Sequence, residues 1–297
     1  MDTVPLTAQH AAEVLAVAAP AEQTVAMVFA SPHSGRDYPA EFLAQSALDP
    51  LTLRKSEDSF VDELFAGAPA RGAPLLRALF PRAFVDPNRE AYELDPAMFA
   101  DALPDFVNVR SPRVSAGLGT IARVVASGAE IYRRQLMFEE AERRINHYYQ
   151  PYHQTLQSLV DQTVARFGRC LLIDCHSMPS IGRPMDQDTG TARVDVVLGD
   201  CYGTACAALV IQLAEDTLRQ LGYRVVRNTP YAGGYTTRRY GRPRAGLHAL
   251  QIELNRRLYM DEATHRRAPT FAAIAADMDT LAEALASLPW SELGPMP

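Results

Sequence analysis

Long apolar runs are missing from this chain of 297 residues. None approaches the roughly 20 residues that cross a bilayer, so a helical membrane protein is excluded. The first thirty residues hold Asp2, Glu13 and Glu22 but no Lys or Arg. The basic start of a secretory signal is therefore absent, and a cytoplasmic location is the expectation. Basic charge is in deficit overall, 29 Lys and Arg against 35 Asp and Glu, a formal charge of −6. No broad cationic field is available for phosphates, which argues against nucleic-acid or anionic-membrane partners. The cysteines Cys170, Cys175, Cys201 and Cys206 form no CxxC pair, so a zinc ribbon is excluded and reduced, buried thiols are expected. No internal repeat is present, and GGYTTRRYG lacks the spacing and lysine of a phosphate-binding Walker loop. Neither Ser34 nor Ser177 lies in G-x-S-x-G, which leaves a serine hydrolase without a well-placed nucleophile.

What remains is a soluble globular composition, 47% hydrophobic and 22% charged. Short apolar strands alternate with helical segments. Strands are expected at Thr24 to Ala30, within Leu75 to Val85, at Leu171 to His176, Asp195 to Leu198, Arg224 to Arg227 and Leu250 to Leu254. Helices are expected from near Glu57, capped by Ser56, then from Gly128 to about Arg166 with a break at Pro151. Others should run from Thr204 to Leu221, closed by Gly222, and from Phe271 onward. The segment YAGGYTTRRYGRP reads as a loop, and residues 91–120, rich in Pro, Gly and Asp, as a long loop-rich excursion. This alternation predicts a single α/β domain over 1–297, with a mixed, mainly parallel sheet between helical layers.

Polar residues gather where the strands end: His33, Asp86 to Arg89, His176 and Glu253. In an open α/β sheet such ends meet at the crevice where ligands bind. The segment LLIDCHSMPS carries the clearest signal. Asp174 and His176 are two apart, so on a strand they share a face, with Cys175 turned away. Two strand-end histidines and a carboxylate fit a metal site with an open position, and Asp37, Glu57 and Asp58 are candidates for the third ligand. A carboxylate at Glu253, on an apolar strand, either pairs with an arginine such as Arg256 or lines a pocket as a general base. Arg89 offers a planar fork suited to a substrate carboxylate.

Taken in order, SPHSGRDYP at 31–39, EDSFVDELF at 57–65, FVDPNRE at 84–90, LLIDCHSMPS at 171–180 and NTPYAGGYTTRRYGRP followed by HALQIELNRRLYMDE resemble the N-formylglutamate amidohydrolase family. That family is akin to the zinc carboxypeptidases and the succinylglutamate desuccinylase/aspartoacylase group. The resemblance implies a three-layer α/β/α, zinc-carboxypeptidase-like (phosphorylase/hydrolase-like) fold and one divalent metal ion, zinc first. It implies His33 as the first ligand and His176 as the last, with Glu253 activating the attacking water. Asn88 and Arg89 resemble the pair that grips a substrate carboxylate. The carboxypeptidase glutamate, three residues after the first histidine, is replaced by Arg36, so Asp58 is the expected middle ligand, ahead of Glu57 and Asp37. Asp174 is expected to orient His176 or a neighbouring group. The implied reaction is hydrolysis of N-formyl-L-glutamate to formate and L-glutamate. A doubly acidic substrate needs several cations, drawn from Arg89, Arg133, Arg238, Arg239 and Arg256, with Tyr235 closing over it. Hydrolysis of another N-acyl amino acid or peptide, and a non-catalytic binding protein of the same fold, are the alternatives. The oligomeric state is not legible.

Overall fold

The computed structural model describes residues 13–183, 186 and 188–293. Seven strands make one sheet: β1 (Leu15–Ala18), β2 (Met27–Ser31), β3 (Leu75–Ala78), β4 (Cys170–Met178), β5 (Val196–Gly199), β6 (Val225–Arg227) and β7 (Leu247–Asn255), in the order β1-β3-β2-β4-β7-β5-β6. Four pairings are parallel and two, β1 with β3 and β5 with β7, are antiparallel. The two central strands β4 and β7 are paired along their whole length, from Cys170 opposite Leu247 to Met178 opposite Asn255.

Alternation along these strands sorts the core into two layers. On one face Val28, Ala30, Cys170, Leu172 and Ala249 pack under a long helix. On the other, Met27, Phe29, Leu171, Ile173, Cys175, Leu250, Ile252 and Leu254 pack under a second helical layer. Asp174, His176, Gln251 and Glu253 have the parity of the first face. Near the carboxyl ends of β4 and β7 that face stops being core and becomes the floor of a cleft.

Of the helices that bear on the cleft, α1 (Val61–Leu64) is a single turn. It begins later than the sequence reading placed it, because Phe60 takes a left-handed φ of 66°. Glu57 and Asp58 thus precede it, and the Ser56 hydroxyl accepts from Ala126 N instead of capping it. The long helix consists of α2 (Phe138–Arg144), a π-turn at Ile145–Tyr149 and α3 (Gln150–Phe167). Pro151 does not break it: the π-turn just before widens the ladder where the proline ring would crowd a carbonyl. The stretch before Phe138 is loop rather than helix, and Gly168, at φ 72°, ends α3. Helices α4 (Ala208–Gln220) and α5 (Phe271–Ala286) cover the opposite face.

Two further readings change. YTTRRY is a helix, Tyr235–Tyr240, at whose start Gly234 N donates to the Thr237 hydroxyl at 3.2 Å. The edge strand β1 lies in an alanine-rich stretch with no strand signature. Residues 91–120 hold only a 3₁₀ turn and a single helical turn, yet Leu94, Val107 and Val114 are buried, so the excursion is a packed wall. Among the described residues, no helix is long and apolar enough to cross a membrane.

Candidate active site

Five chain segments meet at the carboxyl ends of β2, β4 and β7. His33 lies two residues past β2, and His176 is on β4 directly opposite Glu253 of β7. Asp58 is delivered by the backbone: its amide donates to the His33 carbonyl at 3.0 Å. Its carboxylate Oδ2 then lies 3.1 Å from His176 Nδ1 and 3.4 Å from His33 Nδ1. The fifth segment, the Asp86–Pro87–Asn88–Arg89 turn, closes the other side.

Each imidazole has its second nitrogen on another carboxylate. His33 Nε2 is 2.7 Å from Asp86 Oδ1, and His176 Nε2 is 2.9 Å from Asp174 Oδ1. Both Nδ1 atoms therefore face Asp58, and the three donor atoms lie within 4.8 Å of one another, fully buried. His33 Nδ1 has no hydrogen-bond partner there. An orphaned buried nitrogen costs on the order of 1–3 kcal/mol, and a metal ion bound between three such donors removes that cost. Imidazole, imidazole and carboxylate, each ring oriented by an outer carboxylate, suit zinc or a similar divalent ion. The donor set fits the implied metal.

The surrounding charges favour a cation at the same point. Burial works against charge on His176, but Asp174, Asp58 and Glu253 outweigh it and push its pKa well above the usual range. Burial would likewise raise Asp58, yet the hydrogen bond from His176, the close contact with His33 and the charge of Arg256 hold it well below the usual carboxylate range. Asp86, though buried, is held down by Arg82, Arg89 and His33. Glu253 differs: burial, with Asp58 nearby, pushes it up to about 7. Gln251 Nε2 donates to its Oε1 at 2.8 Å, which leaves Oε2 for another proton.

A cavity of about 180 Å³ opens over these groups, lined by His33, His176, Glu253, Asn88, Arg89 and Arg256 among others. That is room for a small amino-acid derivative rather than a few waters. Arg89 donates to Leu118 O and Asn88 O, both at 2.8 Å, and burial lowers its pKa to about 10. The turn that carries it is fixed from α3 and the π-turn: Tyr149 donates to Arg89 O and His153 Nε2 to Pro87 O, each at 2.8 Å. Asn88 Nδ2 lies 3.3 Å from His176 Nε2, and its Oδ1 accepts from Thr236 N at 2.8 Å.

The other sequence candidates fall elsewhere. Arg256 lines the cavity, but its guanidinium holds Asp58 Oδ1 at 2.8 Å and Ser177 Oγ at 3.1 Å. Arg133 is exposed and donates to Ser46 O. Tyr235, Arg238 and Arg239 border a neighbouring shallow depression, where Arg239 donates to the Tyr235 hydroxyl. Glu57 is taken by Tyr38, Arg54 and Ser59; Asp37 is exposed, and Arg36 pairs with Glu63. Ser34 bonds Ser31 and Asp62 N. The sequence reading grouped Asp86 with Asn88 and Arg89 but gave it no role, and it passed over Arg82, Arg113, Arg183, Gln251 and Tyr231. Gln251 had a signal, two residues before Glu253 on one strand. Arg113, in the single turn Pro112–Ser115, and Arg183, in a loop, have no local pattern.

Comparison with known proteins agrees over most of the chain. N-formylglutamate deformylase of Pseudomonas aeruginosa is 32% identical over 216 residues, covering 69% of this chain and 71% of that protein. The Pseudomonas putida enzyme of the same name is 27% identical, covering 80% and 82%. The crystal structure of N-formylglutamate amidohydrolase from Ralstonia eutropha JMP134 superimposes with a TM-score of 0.85 at 37% identity, covering 92% of this chain and 97% of that one. A gene product of Agrobacterium tumefaciens, Atu2144, at 19% identity and a TM-score of 0.66, shares the fold over 93% and 96% of the two chains. The family model for N-formylglutamate amidohydrolase matches residues 25–260, which takes in every segment of the cleft, and the chain belongs to that family.

Proposed function

We propose that this chain hydrolyses the formyl amide of N-formyl-L-glutamate to formate and L-glutamate, with His33, Asp58 and His176 holding one divalent metal ion. The observation that carries the reading is Asp58 set between two buried Nδ1 atoms beside Glu253, in a chain of this family. Such an ion, zinc by its donors, supplies Lewis acidity toward the formyl carbonyl and acidifies water.

The remaining work belongs to the protein's own groups. Glu253, poised near neutrality, takes a proton from the attacking water as the oxygen adds to the formyl carbon. It gives that proton to the amide nitrogen as the C–N bond breaks and the amine leaves. Asp86 and Asp174 hold the two imidazole rings, and Arg256 holds Asp58, so the donors are preset before substrate arrives. Arg89 binds a substrate carboxylate, with Asn88 fixing the turn beside it.

The direct test is formate release from N-formyl-L-glutamate by the purified chain, before and after exhaustive chelation and after restoring zinc. Turnover that chelation abolishes and zinc restores is expected. Full activity in metal-free protein would remove the metal from the reaction. Cleavage of N-acetyl or N-succinyl amino acids in preference to N-formylglutamate would move the enzyme to another N-acyl substrate.

A further inference from the structure

The loop after β4 brings one more cation into the cavity. Arg183 lines it, and its Nη2 donates to Lys55 O at 2.9 Å, the same carbonyl that accepts from Arg256 Nη1 at 3.3 Å. Two guanidiniums thus share one neutral oxygen. The charge of Arg256 is answered by Asp58 at 2.8 Å. Arg183 has no such answer: among the described residues no carboxylate lies within ion-pair distance of it. Burial and the nearby Arg256 charge accordingly depress its pKa to about 9.

The backbone of Arg183 is held at both its amide and its carbonyl. Arg183 N donates to Asp186 Oδ2 at 2.8 Å, and the Thr189 hydroxyl donates to Arg183 O at 3.0 Å. The buried Arg193 grips Asp186 and Asp188, each at 2.6 Å, and donates to the hydroxyl of Tyr231, which also lines the cavity. A guanidinium with no carboxylate partner among the described residues, carried on a backbone held by hydrogen bonds at its own amide and carbonyl, is a receptor for an incoming anion.

The same cavity is lined by a comparable group. Among the described residues Arg89 is hydrogen-bonded only to carbonyls, and Asp86, 3.6 Å away, is already taken by Arg82 at 2.7 Å. Arg89 is thus linked to the metal-site triad through Asp86 and His33. Arg183 reaches it through Lys55 O, Arg256 and Asp58, one link further out. In an N-acylglutamate, one carboxylate adjoins the amide nitrogen and the other lies beyond two methylenes. We propose that Arg183 receives the far, side-chain carboxylate while Arg89 takes the near one, so that Arg183 is what selects a dicarboxylate. This rests on the reading of the site as an N-formylglutamate hydrolase.

The test compares N-formyl-L-glutamate with N-formyl-L-glutamine, which keeps the shape but not the second charge, and compares inhibition by glutarate and by butyrate. Arg183→Met should lower kcat/KM for N-formylglutamate by about 100-fold, mainly through KM, and that for N-formylglutamine by less than about threefold. Glutarate, tighter than butyrate on the native chain, should become no tighter than butyrate. Arg183→Lys should recover part of both losses. Equal losses on the two formyl substrates, unchanged kinetics, or a Lys variant no better than the Met variant would overturn the assignment. Inhibitor binding needs no turnover of N-formylglutamate. A chain that leaves that substrate intact, yet prefers glutarate through Arg183, refutes the activity and keeps the dicarboxylate site.

Discussion

Asp58 and His33 are joined twice, once by backbone and once by side chain: the Asp58 amide donates to the His33 carbonyl at 3.0 Å, and Asp58 Oδ2 stands 3.4 Å from His33 Nδ1. The backbone bond makes the carboxylate's position a property of two chain segments meeting, not of a helix turn. Arg256 fixes the other oxygen, so Asp58 has little freedom left.

Asp58→Asn should therefore remove most of the bound metal, read by metal content after dialysis and by titration calorimetry. Asp86→Asn, which leaves the donor set intact and only loosens the His33 ring, should weaken metal affinity by about 10–100-fold. Equal metal affinity in native and Asp86→Asn protein would show that His33 needs no outer carboxylate.

Glu253→Gln keeps the shape and the Gln251 contact but removes the proton acceptor. A fall in kcat of roughly 100-fold or more is expected, with metal content unchanged and KM little altered. A rate within a few-fold of native would assign proton transfer to another group.

Gly234 packs against the turn that carries Arg89: a Cβ there would lie 2.3 Å from Asn88 Nδ2. Gly234→Ala should displace Asn88 and break its bond from Thr236 N. A stability loss of about 1–3 kcal/mol is expected from the overpacking, measured by chemical denaturation, together with a raised KM. Native kinetics would mean that the helix start yields in place of Asn88.

His153 gives a pH dependence of stability. Burial depresses its pKa from 6.5 to about 4 against the opposing bond to Pro87 O. The unfolded chain takes up a proton near 6.5 and the native one does not until about 4, so this stabilisation is present above 6.5 and is lost as pH falls between those values. The contribution is on the order of 3 kcal/mol. His265, also depressed to about 4 by burial, acts in the same direction. Melting temperature should drop across this window, and His153→Gln should flatten part of the drop. An unchanged slope in that variant would assign the drop to other groups.

The sheet was largely legible because its buried strands announce themselves as apolar runs ending in polar residues. His33, His176 and Glu253 stood out for the same reason: a polar group on, or just past, an apolar strand needs a partner. The strand β1 and the Tyr235–Tyr240 helix were not legible, since one has the composition of a helix and the other that of a glycine-rich loop. Tertiary pairing with β3 and a contact to Thr237 decided them. The arginines were the hardest to sort. Arg133, Arg238, Arg239 and Arg183 look alike in sequence. Only the folded chain shows which of them faces carbonyls in a cavity and which lies on the surface or in a shallow depression.

The shared parity of β4 ties the chemistry of this cleft to the grease beneath it. Leu171, Ile173 and Cys175 point into one core layer, while on the other face His176 lines the cleft and Asp174 lies buried against it. Deleting any single residue between Arg169 and Ile173 would force a choice. Either the strand keeps its apolar face and moves the carboxylate and imidazole by one position, or it keeps those in place and buries the wrong side chains. The metal ligand is thus protected by neighbours that never touch it. A hydrophobic strand sets its alignment to within one residue, and the cleft inherits that alignment.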